Sequence, residues 1–185
     1  MHILYHHRTH AKGVEGVHIN GTINALKQLE HQVTIVSPYR TSLEEQNLIN
    51  TGHLSIQRIY EFISGSFPKI CFEIAEIVYN VPAYSKIGNI IRHEKIDFIY
   101  ERYALYCMSG VTLAKKFGIP IILEVNIVSD LQDVRPIKMP SLAKRFEDKI
   151  LNNADAIVTV SSFLKHHMVN RGIEEKKIWV IPNAV

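Results

Sequence analysis

No apolar run in this 185-residue chain approaches the roughly 18 consecutive residues that a membrane-spanning helix requires. The N-terminus has no basic segment, apolar core and small-residue cleavage site, because Met1 leads directly into Ile3-Leu4-Tyr5, so no secretory leader is expected and the chain reads as cytosolic. Cysteine is scarce. Cys71 and Cys107 are widely spaced in apolar surroundings, which predicts two reduced, buried thiols that serve neither as a disulfide nor as a nucleophile. Charge of one sign is lacking too: a net charge of +3 without any block of like charges argues against a nucleic-acid partner.

Several fingerprints are missing as well. Gly13-x-x-Gly16, followed by Gly21, is not the G-x-G-x-x-G of a dinucleotide site, and the second expected strand ends in Ser37-Pro38 where an acidic residue would hold an adenosine ribose. No G-x-x-x-x-G-K-[ST] occurs, which excludes a P-loop. His6, His7, His10 and His18 match neither H-E-x-x-H nor a Cys/His zinc spacing, and His6 and His7 should point to opposite sides of a strand end. No metal and no cofactor are therefore expected.

What is present is an ordinary globular composition, 46% hydrophobic and 21% charged, on a length that suits one domain or one lobe of a larger protein. Met1–Leu29 reads as a strand, a flexible loop Lys12–Gly16 and a helix His18–Leu29 with Ile19, Ile23, Leu26 and Leu29 near one face. A strand running into Val36 and stopped by Pro38 completes a right-handed βαβ unit. Residues Tyr39–Gly52 suggest a short helix around Leu43–Ile49, and Leu54–Ile59 a strand. From Pro68 to His93 the period is helical, with Ile70, Ile74, Ile77 and Val78 on one side and a break or bend at Pro82 and Gly88.

The alternation then continues with a strand Asp97–Glu101, a helix Ala104–Phe117 stopped by Gly118 and a strand Pro120–Val125. A helix Ser141–Asn153, a strand from Ala156, a helix Phe163–Asn170 capped by Ser161 or Ser162 and a strand from Lys177 complete it. The expected fold is α/β: a Rossmann-like, doubly wound, mostly parallel sheet with helices on both faces, its ligand crevice at the carboxyl ends of the strands.

A helix start beside glycines is an anion site, since its first N–H groups lack partners and carry partial positive charge. Gly13, Glu15 and Gly16 are thus the candidate phosphate or sugar loop. Strand ends place His6, His7, Arg8, Ser37, Glu101, Arg102, Tyr103 and Ser161 along the crevice, of which Arg8, Arg102, Tyr103 and Ser161 are the lining candidates, with His18 at the helix start. Glu124 and Asn126 share a strand face and could bind sugar hydroxyls, or else pin loops and pair with Arg102. Lys144, Arg145 and Lys149 lie opposite Leu142, Phe146 and Ile150, a face that suits either solvent or a peripheral contact with anionic lipid.

Six segments in order resemble one family, the retaining glycosyltransferases with two Rossmann-like lobes, the GT-B fold, and within it family 4. They are Gly13-Val-Glu-Gly16-Val-His-Ile, His31–Val36, Tyr100-Glu-Arg-Tyr103, Gly118–Asn126, Ala154–Ser161 and Ile181–Val185. The resemblance implies an N-terminal, acceptor-binding lobe spanning 1–185, with a C-terminal lobe that binds the nucleotide-sugar donor lying outside this chain, which would then be a fragment inactive alone. It implies transfer of a sugar to a glycan or lipid-linked acceptor with retention, Gly13 and Gly16 near the donor phosphate, and Glu124 and Asn126 near the reacting sugar. Many members carry a histidine at the position of Asn126, while a subset shares Glu-x-Asn. Glu30 stands where a helix-ending glycine is common. A free-standing, non-catalytic sugar- or partner-binding module and a nucleotide-sugar epimerase are the alternatives.

Overall fold

The computed structural model describes residues 1–9, 13–39, 69–131 and 136–182. The helix expected near Leu43–Ile49 and the strand expected at Leu54–Ile59 lie outside these residues. Six strands form one parallel sheet: β1 (His2–His6), β2 (Gln32–Val36), β3 (Phe98–Arg102), β4 (Ile121–Val125), β5 (Ala156–Thr159) and β6 (Ile178–Val180), in the order β2-β1-β3-β4-β5-β6. Apolar residues at successive positions, such as Ile3-Leu4-Tyr5, are buried on both sides of the pleat, which is what a parallel sheet covered by crossover helices demands.

The helices are α1 (Gly13–Gln28), α2 (Lys69–Val78), α3 (Asn80–His93), α4 (Ser109–Phe117), α5 (Pro140–Asn153) and α6 (Ser162–Asn170). One sheet face, carrying Leu4, Ile99, Leu123 and Ile157, packs against Ile87 of α3, Leu113 of α4, Ile150 of α5 and Met168 of α6. The opposite face, with Tyr5, Val33, Ile35 and Tyr100, receives Ile19 and Ile23 of α1. None of the described helices is long and apolar enough to cross a membrane.

Four expectations are corrected. The glycine stretch is not a loop: Gly13 at φ 61° opens α1, Glu15 sits in its first turn, and Gly16 is already buried within the helix. Its left-handed backbone is the conformation that glycine adopts without a steric cost.

The helix expected from Ala104 begins only at Ser109. Tyr106 at φ 67° interrupts the chain, and Asn80 Oδ1 accepts the amides of Met108 at 2.6 Å and Ser109 at 3.0 Å, fixing the start of α4 from outside it. The run from Pro68 divides at Tyr79, with Pro82 and Gly88 accommodated inside α3.

The side of α2 expected to be core is largely outside: Ile70, Ile74 and Val78 are exposed, whereas Glu73 and Glu76 are buried. Glu73 takes Tyr106 Oη–H at 2.6 Å and the amides of Lys138 and Met139, fixing the chain just before α5, and Glu76 pairs with Arg8. Four polar partners outweigh the apolar periodicity of ten residues.

Candidate active site

After β2 the chain returns to the other side of β1, so the sheet order reverses between β1 and β3. In sheets of this topology connections diverge at such a point, and the carboxyl ends on either side of it are the usual ligand position. Because side chains alternate, each strand end splits its polar residues between the two faces.

The face beneath α1 carries Tyr5 and His7 of the β1 end, Tyr100 and Arg102 of β3, and Glu124 with Asn126 at the end of β4. Tyr5 stacks on Tyr100 at 5.3 Å and 9°. Tyr100 donates to Glu124 Oε2 at 3.3 Å; Arg102 and Asn126 both donate to Glu124 Oε1, the latter at 2.8 Å. Glu124 is thus a three-way acceptor, and the pairing with Arg102 foreseen as one of its two roles is present.

Burial, reinforced by the Glu124 charge and only partly offset by Arg102, pushes both phenols upward, so each keeps its proton. Burial, aided by His6, lowers His7 to about 3, so its ring is neutral. Tyr5 Oη, both ring nitrogens of His7 and Asn126 Oδ1 are buried and have no hydrogen-bond partner among the described residues. Buried polar atoms are normally satisfied, so this group of orphans at a crevice is where a ligand's hydroxyls would restore the missing bonds.

On the opposite face, His6 Nδ1 lies 2.7 Å from Glu101 Oε2, its register partner, and His6 Nε2 lies 3.3 Å from Tyr79 Oη. Both members of the pair are buried, and burial pushes the adjacent Cys107 thiol up to about 12. A third polar group gathers on Glu147, fully buried in α5: it accepts from Tyr103 Oη, from Ser129 twice and from Arg171, which also holds Asp148 and Asp130.

The candidates therefore separate. Arg102, Glu124 and Asn126 come together. Tyr103 turns to the other face to bond Glu147, Arg8 is paired with Glu76 at 2.5 Å, and the Ser161 hydroxyl accepts Leu164 N–H as the cap of α6. His18 is half-buried on α1 and Glu15 is exposed; α1 follows β1 in a parallel sheet, so its N-terminus lies on the carboxyl side of the strands. A cleft of about 380 Å³ lined by Lys115, Gly118, Pro120, Asn152, Asp155 and Lys177 lies at the amino ends of the strands, away from this chemistry.

His6 and Glu101 were expected at strand ends, but their pairing, Cys107 beside it and the Glu147–Arg171 group escaped sequence reasoning. For Glu147 a signal existed: it shares the stripe of Ala143, Ile150 and Leu151, and a carboxylate at a core position needs partners. For His6 and Glu101 the signal is the strand register, which a single sequence does not supply.

Residues 13–185 match the family model described as Glycosyltransferase Family 4. Among solved structures, the apo lipopolysaccharide outer core galactosyltransferase WaaB is similar at TM-score 0.66 and 14% identity, over 100% of this chain and 46% of that one. UDP-GlcNAc 2-epimerase from Methanocaldococcus jannaschii, in complex with UDP-GlcNAc and UDP, gives 0.64 and 18%, over 99% and 47%. A glycosyltransferase from Rickettsia africae gives 0.58 and 22%, over 100% and 43%. The chain thus spans less than half the length of these structures. No curated protein matches its sequence significantly.

Proposed function

The chain belongs to Glycosyltransferase Family 4, and from that membership we propose that it forms the acceptor-binding half of a cleft in which a sugar passes from a nucleotide donor to an acceptor. The observation that carries the proposal is the convergence of Arg102, Glu124 and Asn126 with orphaned polar atoms on one face of the switch crevice, beside the glycine-opened start of α1. In this reading the donor half is a second lobe outside this chain, and the pair of lobes transfers the sugar with retention of anomeric configuration.

The chemistry needs little from this lobe beyond orientation and charge neutralisation. The first amides of α1, near Gly13 and Gly16, stabilise the negative charge that grows on the departing diphosphate. Asn126 Oδ1 accepts a hydrogen bond from a hydroxyl of the reacting sugar. Glu124 positions Asn126 and balances Arg102. The acceptor is a glycan or a lipid-linked sugar; a lipid carrier would bring the exposed Lys144, Arg145 and Lys149 of α5 to an anionic membrane surface.

A panel of nucleotide sugars offered to a protein carrying both lobes, with products identified by mass spectrometry and NMR, tests this. Transfer with unchanged anomeric configuration is expected, and Asn126→Ala should lower kcat/KM by about 10- to 100-fold, equivalent to about 1.4–2.7 kcal/mol. Robust transfer by residues 1–185 alone would overturn the two-lobe account.

The second reading, inversion of a nucleotide sugar at C2, rests on the fold shared with the UDP-GlcNAc 2-epimerases. Conversion of UDP-GlcNAc without any acceptor would favour it.

A further inference from the structure

We infer that His6, Glu101 and Cys107 form a buried site for one divalent transition-metal ion, with zinc the best match to the donor set. His6 ends β1, Glu101 is its register partner on β3, and Cys107 lies in the loop that enters α4. Their ligand atoms lie within 4.8 Å of one another and all three residues are buried. The inference stands apart from the proposed sugar chemistry, which occupies the opposite face of the sheet.

The donor chemistry is coherent. A thiolate and a carboxylate balance the two positive charges of the ion while the imidazole stays neutral, so the loaded site carries no net charge, as a water-free interior requires. Glu101 Oε1 is buried without a partner, so it is free to supply a fourth donor atom beside Oε2. His6 already shows the support that a metal-bound histidine needs: with Nδ1 toward the cluster, Nε2–H points to Tyr79 Oη at 3.3 Å.

Gly110 completes the cradle. A Cβ at this position would lie 1.7 Å from Glu101 Oε2, so the carboxylate occupies the volume that any other side chain would fill. Ordinary bond lengths set donors from different residues about 3.4 Å apart, while the two oxygens of the one carboxylate stay closer together and make the four-coordinate site a distorted one. The His6–Glu101 separation of 2.7 Å therefore opens, and Cys107 Sγ, within 4.8 Å of both ligand atoms, closes in. On binding, the Cys107 S–H bond breaks, an S–metal bond forms and the proton leaves to solvent.

Tag-free protein equilibrated with ZnCl₂ and dialysed against metal-free buffer should retain one zinc per chain by elemental analysis, and Co²⁺ in its place should show a thiolate charge-transfer band. Cys107→Ser should lose that band and bind zinc at least ten-fold more weakly, while Cys71→Ser changes neither. Should Cys107→Ser fail to fold, the wild type decides: its melting midpoint should rise with Zn²⁺, fall back with EDTA and ignore Mg²⁺, which prefers oxygen ligands. Zinc lost on dialysis, a cobalt band that survives in Cys107→Ser, or a midpoint unmoved by Zn²⁺ would each overturn the inference.

Discussion

Two single residues carry local costs that the fold tolerates. Glu30 is left-handed at φ 61°, and the amides of Glu30 and His31 bond the carbonyls of Lys27 and Leu26, the double hydrogen bond of a helix end that normally uses glycine. A residue with a Cβ loses about 1–2 kcal/mol in that conformation, and glycine gives back part of the gain through its freer unfolded chain. Glu30→Gly should therefore raise stability by about 1 kcal/mol, read as a higher urea midpoint at unchanged m-value. His7 is the second. Its ring is neutral in the fold down to about pH 3, whereas in the unfolded chain it takes up a proton near pH 6.5. Between those values the unfolded state binds more protons, so stability falls as the pH drops through this window, by as much as about 4 kcal/mol. His7→Leu should flatten the dependence of the urea midpoint on pH from about 6.5 to 3; an unchanged slope would mean that the ring is hydrated in solution.

At the scale of elements, helix starts here are fixed by distant side chains. Asn80 bridges α3 to α4: its Oδ1 accepts two amides at the start of α4, while its Nδ2 donates to the carbonyls of Ile77 at 2.9 Å and Tyr106 at 2.7 Å. Asn80→Ala leaves all four backbone groups short of a partner and should cost about 2–3 kcal/mol in chemical denaturation, while Asn80→Asp, which keeps the acceptor, should cost less. The same dependence marks where the sequence stops being readable. The strands and the cap at Ser161 could be read because each is decided by residues within a turn or two, while the helix-end position of Glu30 came only from the family resemblance. The start of α4 could not, since its cap lies 28 residues upstream, nor could the orientation of α2, whose carboxylates are drawn inward by Arg8, Tyr106 and the amides just before α5. Glu124 and Asn126 were legible as a pair because a strand repeats every two residues; that Glu101 would leave Arg102 and join His6 follows from the same rule once the register is known.

For the molecule as a whole, the parallel sheet has two unlike ends. Every strand points the same way, so β1, β3 and β4 deliver their last residues to one edge, where the polar groups without partners collect. At the other edge the polar groups are spent on structure: Asp155 accepts the amide of Ile121, Lys177 reaches the carbonyls of Asn152 and Ala154 at the end of α5, and Lys115 donates to Asn153. Positive side chains there satisfy a helix C-terminus, whose exposed carbonyls carry the opposite partial charge to the start of α1. The cleft of about 380 Å³ at that edge is accordingly packing space in this reading. Lys115→Ala and Asn152→Ala, at exposed positions of this cleft, should each move stability by about 0.5 kcal/mol or less and leave kcat/KM within about two-fold, in a protein that carries both lobes. Tyr100→Phe, which removes one of the three donors to Glu124 at the carboxyl edge, should lower kcat/KM by about three- to ten-fold through the loosened carboxylate, with the melting midpoint little changed. A loss of ten-fold or more in the cleft variants, with Tyr100→Phe unaffected, would move the reaction to the amino ends of the strands.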